Sequence, residues 1–310
     1  MSGALRLLGV EQTPDRPGPG AMPDQLLRAL ELTIGRRVQG LLAGDHRSAM
    51  LGRGSELAQV RPYEPGVDDV RQIDWNVTAR TNEAHVRVQL AERVLVTWLA
   101  LDTSPSMTFG TADRRKADVA LGVALALGHA ASARGNRVGL VSFGGAETLT
   151  PPRQGRAGLV GLMVALRESE HGGDGAAPSS LGPALRRLAA VSQQRALVTI
   201  VSDFRGPRDW RRPLLDLAGR HDVLAVEIRD PREQELPDVG ELFLVDPESG
   251  RQLRVDTRSA TLRRRFATAA AEERKSLARA FSSAGVAHVV LSTSGDWLRP
   301  LAGFLRQRAR

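Results

Sequence analysis

The stretch Val94-Leu95-Val96-Thr97-Trp98-Leu99-Ala100-Leu101-Asp102-Thr103-Ser104-Pro105-Ser106-Met107 decides the fold. Its first part is almost unbroken apolar and stops at an acid. A short apolar run with a polar stop suits a strand buried on both faces of a parallel sheet. The same pattern recurs downstream. Lys116 to Arg134 reads as an Ala-rich helix closed by Gly135, and Arg137 to Phe143 as a second strand with Gly144-Gly145 as its turn. Leu159 to Arg167 and Leu181 to Gln194 read as helices. Ala196 to Val201 is a third buried strand, followed by an acid at Asp203, and Val223 to Ile228 a fourth. Asp246-Pro247-Glu248-Ser249-Gly250, between Phe243–Val245 and Gln252–Val255, is a hairpin signal. Thr261 to Ser283 is a helix, Val286 to Leu291 the last strand and Trp297 to Arg308 the last helix. Strands and helices alternating at these lengths imply a parallel α/β sheet with right-handed crossovers.

Upstream the texture changes. Residues 1–22 end in the breaker run Pro14 to Gly20 and read as a disordered leader. Leu26, Leu27, Leu30, Ile34 and Val38 recur near helical spacing, so residues 22–44 read as helical. Residues 51–93 mix Gly, Pro and acids with short β-prone runs such as His85 to Leu90. The expected organisation is a leader over 1–22, a helical segment with a small β-rich accessory unit over 23–93, and an α/β domain with a C-terminal helix over 94–310.

Composition narrows the chemistry. The 310 residues are 42% hydrophobic and 25% charged, ordinary values for a globular protein. No cysteine is present, which excludes disulfides, thiolate metal sites and cysteine nucleophiles. The uncharged run Val119 to Ala133 is shorter than the roughly 20 residues a bilayer requires. No secretory signal is visible, and a cytoplasmic location is expected. The net charge of +8 is carried by residues 258–310, with 11 basic and 3 acidic side chains. That segment reads as a helix with a solvated arginine face. Nucleic-acid binding is the alternative, and the 4% aromatic content leaves few bases a stacking platform.

Asp102, Ser104 and Ser106 stand at alternate positions just past a buried strand. Ligands of open α/β sheets bind outside the carboxyl ends of the strands. One carboxylate and two hydroxyls there offer the oxygen ligands that Mg²⁺ or Mn²⁺ prefers. Asp203 leaves a later strand at the same edge. If the two strands are neighbours, about 4.8 Å apart, both acids can share one hydrated ion. Capping of the following helix is the plainer role for such a cluster.

Asp-x-Ser-x-Ser with a distant Asp resembles the metal-ion-dependent adhesion site of the von Willebrand factor type A domain. The resemblance implies a Rossmann-like parallel sheet flanked by helices. It matches Asp102, Ser104, Ser106 and Asp203, and puts Ser179 in the place of the family's threonine, with Ser180 as rival. Arg61-Pro62-Tyr63-Glu64-Pro65-Gly66-Val67-Asp68-Asp69-Val70-Arg71-Gln72-Ile73-Asp74-Trp75, followed by Ala79-Arg80, resembles the signature of the DUF58 family, with Val67 inserted after Gly66. Leu236-Pro237-Asp238-Val239-Gly240 and its hairpin are similar to that family too. Arg61, Arg71 and Arg80 beside Asp68, Asp69 and Asp74 read as a paired-charge scaffold.

The resemblance implies a non-enzymatic module. A partner's Glu or Asp would complete the shell of a bound divalent cation. It also implies partnership with a MoxR-type AAA+ ATPase, in an adaptor or chaperone-like role during complex assembly. A Mg²⁺-dependent hydrolase or phosphatase is the competing class. The haloacid dehalogenase type needs a second acid where Ser104 stands and a suitable lysine, and Lys116 and Lys275 read as badly placed for it. No phosphate-binding loop, nucleophile elbow or His-Glu-x-x-His motif occurs.

Overall fold

The computed structural model describes residues 6–8, 15–28, 30–31, 56–66, 68–90, 96–133, 135–145, 147–155, 157–158, 160–161, 163–164 and 180–308. Two compact units emerge, 1–38 with 95–310, and 39–94. Residues 24–31 were expected to belong with the accessory unit, yet they join the larger unit. Leu30 is buried, and Glu31 Oε1 lies 3.1 Å from His129 Nε2. Residues 1–22, expected to be a disordered leader, instead carry a strand, β1 (Arg6–Leu8). The rest of the helix expected over 22–44 and much of that over Leu159–Arg167 lie outside the described residues.

The smaller unit is a two-stranded antiparallel ribbon, β2 (Glu56–Pro62) and β3 (His85–Leu90), with a short helix α1 (Trp75–Thr81) between them. Its acids act as caps. Asp74 accepts from the Asn76 and Val77 amides at the start of α1, and Asp69 from the Arg71 amide. Asp68 takes both terminal nitrogens of Arg61, at 2.9 and 2.6 Å.

The larger unit is built on six strands: β4 (Val96–Asp102), β5 (Arg137–Phe143), β6 (Leu149–Gln154), β7 (Ala196–Ser202), β8 (Asp222–Arg229) and, after the hairpin, β11. The hairpin is β9 (Glu241–Val245) and β10 (Gln252–Asp256), and β11 is Ala287–Ser292. The order across the sheet is β11-β8-β7-β4-β5-β6, parallel throughout except for β6. The hairpin belongs to a separate small sheet in which β9 also pairs with β1. The helices are α2 (Lys116–Ala133), α3 (Leu181–Val191), α4 (Arg211–Ala218), α5 (Ala260–Ser283) and α6 (Leu298–Arg308). Among the described residues no helix is long and apolar enough to cross a membrane.

The central strands are buried over nearly all their length, as a parallel sheet covered on both faces requires, and every residue of β7 is buried. β6 differs. Its sequence Leu-Thr-Pro-Pro-Arg-Gln shows no strand periodicity, and the register shifts opposite Gly139. Proline cannot donate to a ladder, so such a strand exists only at an edge or a bulge.

The core under β7 and β8 is closed by an aromatic cluster. Trp210 stacks on Phe281 with centroids 5.4 Å apart, and Phe204 meets Phe281 edge-on at 4.9 Å. On α2, Gly122 has no space for a β-carbon, which would fall 2.4 Å from the Trp297 ring. The same indole donates from Nε1 to the Pro19 carbonyl at 2.9 Å, tying residues 15–20 to the segment leading into α6.

Candidate functional site

β4 and β7 are adjacent and parallel, paired from Val96↔Ala196 to Leu101↔Val201. The chain leaves β4 toward β5 on one side and enters β7 on the other. The crevice between their carboxyl ends is therefore the topological switch point, where α/β sheets hold ligands. Asp102 ends β4 and Asp203 follows β7, so both acids stand on this rim. Asp102 Oδ2 accepts from Ser202 Oγ at 2.5 Å, and Oδ1 from the Ser104 amide at 2.9 Å. Ser104 Oγ and Ser106 Oγ lie 3.0 Å apart.

The loop bearing the serines rests on glycines. A β-carbon at Gly144 would fall 2.7 Å from Ser104 Cβ and 2.8 Å from Asp102 Oδ1. Its φ of +88° is also in the left-handed region. Thr103 completes the cradle, its amide and hydroxyl both donating to the Phe143 carbonyl. On the other side Phe204 adopts φ +54°, uncommon for a non-glycine residue, directly after Asp203. Ring packing of Phe204 in the aromatic cluster holds that turn.

The structure places Lys116 directly behind the rim. Its side chain is fully buried, and Nζ donates to Asp203 Oδ2 at 2.5 Å and to Glu233 Oε1 at 2.7 Å. Arg205 approaches the other Glu233 oxygen at 3.6 Å. A lysine read as badly placed thus stands behind the rim. It offers no face to a substrate, and its ammonium is taken up by Asp203 and Glu233. Sequence reasoning also missed Glu248, on the hairpin tip, whose Oε1 accepts from the Ser106 amide at 3.1 Å.

Charge at the rim is unbalanced. Four carboxylates (Asp102, Asp203, Glu233 and Glu248) face two cations, Lys116 and Arg205. Burial, aided by the neighbouring Asp203 charge, pushes Asp102 up to about 7. Burial would raise Asp203 too, but the Lys116 ammonium overrides it and holds Asp203 below the usual carboxylate range. Burial would lower Lys116, and its two acidic partners raise it instead. Glu248 is raised by burial and by the Asp203 and Asp246 charges, against the Ser106 amide bond that lowers it.

Asp102, Ser104, Ser106 and Asp203 therefore share one rim, with Asp203 engaged by Lys116. Ser179 lies outside the described residues. Its rival Ser180 precedes α3 and donates to Asp209 Oδ2 at 2.6 Å. Among the described residues no three acidic or histidine side chains could hold a metal by themselves. The residues here that could hold one are Asp102, through its carboxylate, and Ser104 and Ser106, through their hydroxyls.

The family model described as "Protein of unknown function DUF58" matches residues 59–276. The chain belongs to the DUF58 family. Uncharacterised proteins from Mycobacterium bovis and Mycobacterium tuberculosis are each 42% identical to it over 290 residues, covering 92% of this chain and 89% of theirs. An uncharacterised Mycobacterium avium protein is 38% identical over 165 residues, 53% of this chain and 95% of its own. Among solved structures, the conserved hypothetical protein BatB from Bacteroides thetaiotaomicron is similar with a TM-score of 0.45 and 13% identity, over 69% of this chain and 98% of that one. The matched DUF58 span includes both Asp102 and Asp203, and Glu248 on the hairpin.

Proposed function

We propose that the rim of this DUF58 protein is a divalent-cation-dependent docking site for an acidic side chain of another protein. The observation that carries the reading is the Ser104–Ser106 hydroxyl pair. Oxygens in adjacent positions of an octahedral Mg²⁺ shell lie about 2.9 Å apart, and these lie 3.0 Å apart. The carboxylates that share the rim support a divalent ion, whether Mg²⁺ or Mn²⁺, because a cation would relieve the repulsion between Asp102 and Asp203. Ser104 and Ser106 would bind it directly, with Asp102 beside them and Ser179 as a further candidate. Asp203 contributes its charge, already partly used by Lys116. A bound ion supplies a Lewis-acidic position for a carboxylate oxygen.

The chain's own groups suit binding rather than turnover. Lys116 is sealed, and Asp102 is fixed by Ser202 and the Ser104 amide. We read the larger unit as von Willebrand factor type A-like, supported by the strand order and the antiparallel edge β6. We read the partner as a MoxR-type AAA+ ATPase, the role as adaptor or chaperone-like, and the location as cytoplasmic.

Calorimetric titration with Mg²⁺ tests the site. Wild type is expected to bind, and Asp102→Ala and Ser106→Ala to lose at least tenfold in affinity. Undiminished binding by both variants rejects the assignment. Pull-down of the AAA+ partner with and without EDTA tests the docking role, and chelator-insensitive capture counts against it.

A further inference from the structure

Glu248 stands 142 positions from Ser106, yet its carboxylate is seated on the Ser106 amide. We infer that Glu248 is a resident stand-in for the partner's acid: the β9–β10 hairpin occupies the docking position, and a partner binds by displacing it. This rests on the docking reading above and deepens it, since it says how the site is regulated and what shape of partner it takes.

Three features of the hairpin argue for displacement. First, the tip is shaped without the Glu248 carboxylate. Asp246 N donates to the Arg251 carbonyl at 2.9 Å and Gly250 N to the Asp246 carbonyl at 2.8 Å. The Asp246 side chain accepts from the Glu248 amide at 3.1 Å and from Ser249 Oγ at 2.6 Å. The turn therefore persists when the Glu248 carboxylate leaves Ser106. Second, the carboxylate is seated among like charges, with Asp203 and Asp246 both acting on it. It is held by one amide while facing the Asp203 charge across the rim, the position of an occupant that can be replaced. Third, β9 and β10 lie in a sheet separate from the six-stranded one. The hairpin can swing without breaking a ladder bond of the main sheet. Its outer face is open, with Phe243 and Leu253 exposed, while Leu244 on the inner face is buried and β9 keeps its pairing with β1.

The partner that fits is a protein loop presenting a glutamate on a tight, polar turn, in the manner of Asp246 to Gly250. The probe is a fluorescein-labelled cyclic peptide copying residues 241–256, read by anisotropy in Mg²⁺. Glu248→Gln is expected to bind it at least tenfold more tightly than wild type, and the gain is expected to vanish in EDTA. No gain, including no binding by either protein, overturns the inference. On wild type, saturating probe is expected to speed hydrogen exchange at residues 246–250, and unchanged exchange overturns it independently of any variant. Calorimetric Mg²⁺ titration separates the two levels. Mg²⁺ binding without a gain in Glu248→Gln rejects displacement alone. Absence of Mg²⁺ binding in wild type rejects the docking reading and this one with it. Loss of Mg²⁺ binding only in Glu248→Gln makes Glu248 a permanent ligand, which also rejects displacement.

Discussion

Lys116 shows how much one side chain can decide. It is one of only two lysines, and it joins two buried acids. Removing one partner of a buried ion pair leaves uncompensated charge, at a cost of about 3–5 kcal/mol. Lys116→Met is expected to be destabilised by that amount at pH 7 in urea melts, with an inverted pH response. In wild type Asp203 is held below its unfolded value. Its contribution is present above the unfolded pKa and is lost as pH falls through the folded one. In the variant only the Arg205 amide and charge still oppose burial, so Asp203 is expected to rise and stability to be lost as pH rises. The two proteins should therefore differ least near pH 4 and most at neutrality. A second residue-scale expectation concerns Gly144. Gly144→Ala meets both a left-handed φ and a contact at 2.7 Å, so a loss of roughly 2–5 kcal/mol is expected in the same melts. Asp102, Ser104, Ser106 and Asp203 were legible because an acid closing an apolar run marks a strand's carboxyl end. Lys116, Glu233 and Glu248 were not. Lys116 reads as an ordinary first residue of a helix, and its partners stand 87 and 117 positions away.

Among the elements, β7 depends on a buried histidine. The Ala196 amide, at the start of β7, donates to His221 Nδ1 at 3.2 Å, so that nitrogen must stay unprotonated. Burial, with the Arg220 and Arg195 charges, pushes His221 down to about 4. A depressed histidine favours the unfolded state once protonated. Its contribution is complete above its ordinary 6.5 and falls as pH drops toward 4, by up to about 1.4 kcal/mol per pH unit. His221→Gln is expected to flatten that part of the profile of unfolding free energy against pH. An unchanged slope would place the acid sensitivity elsewhere. The periodic elements, β4, β5, β7, β8, α2 and α5, were legible in the sequence. Those that escaped have local reasons. α1 and α4 are short, and α4 carries Pro213 in its first turn. β6 is a strand only because β5 offers it an edge. β1 is a strand only because β9 does, at a distance no local pattern encodes.

At the scale of the molecule, the α/β class, the carboxyl-end rim and the β-rich accessory unit were all readable. The boundary between the units was not. Residues 24–31 are amphipathic whichever unit they join, and only contacts such as Glu31 with His129 decide. The basic excess of residues 258–310 also gains context. Arg263 pairs with Asp238 at 2.9 Å and Arg274 donates to Gln234, so part of that charge fastens α5 to the preceding loop.

The paired prolines of β6 have a consequence for assembly. A strand lacking amide hydrogens at Pro151 and Pro152, and broken in register beside them, makes a poor template for another chain's backbone. Oligomers that grow by joining sheet to sheet are disfavoured along that border. Higher-order complexes of this protein should be sought through side chains and loop tips, where an association can be reversed.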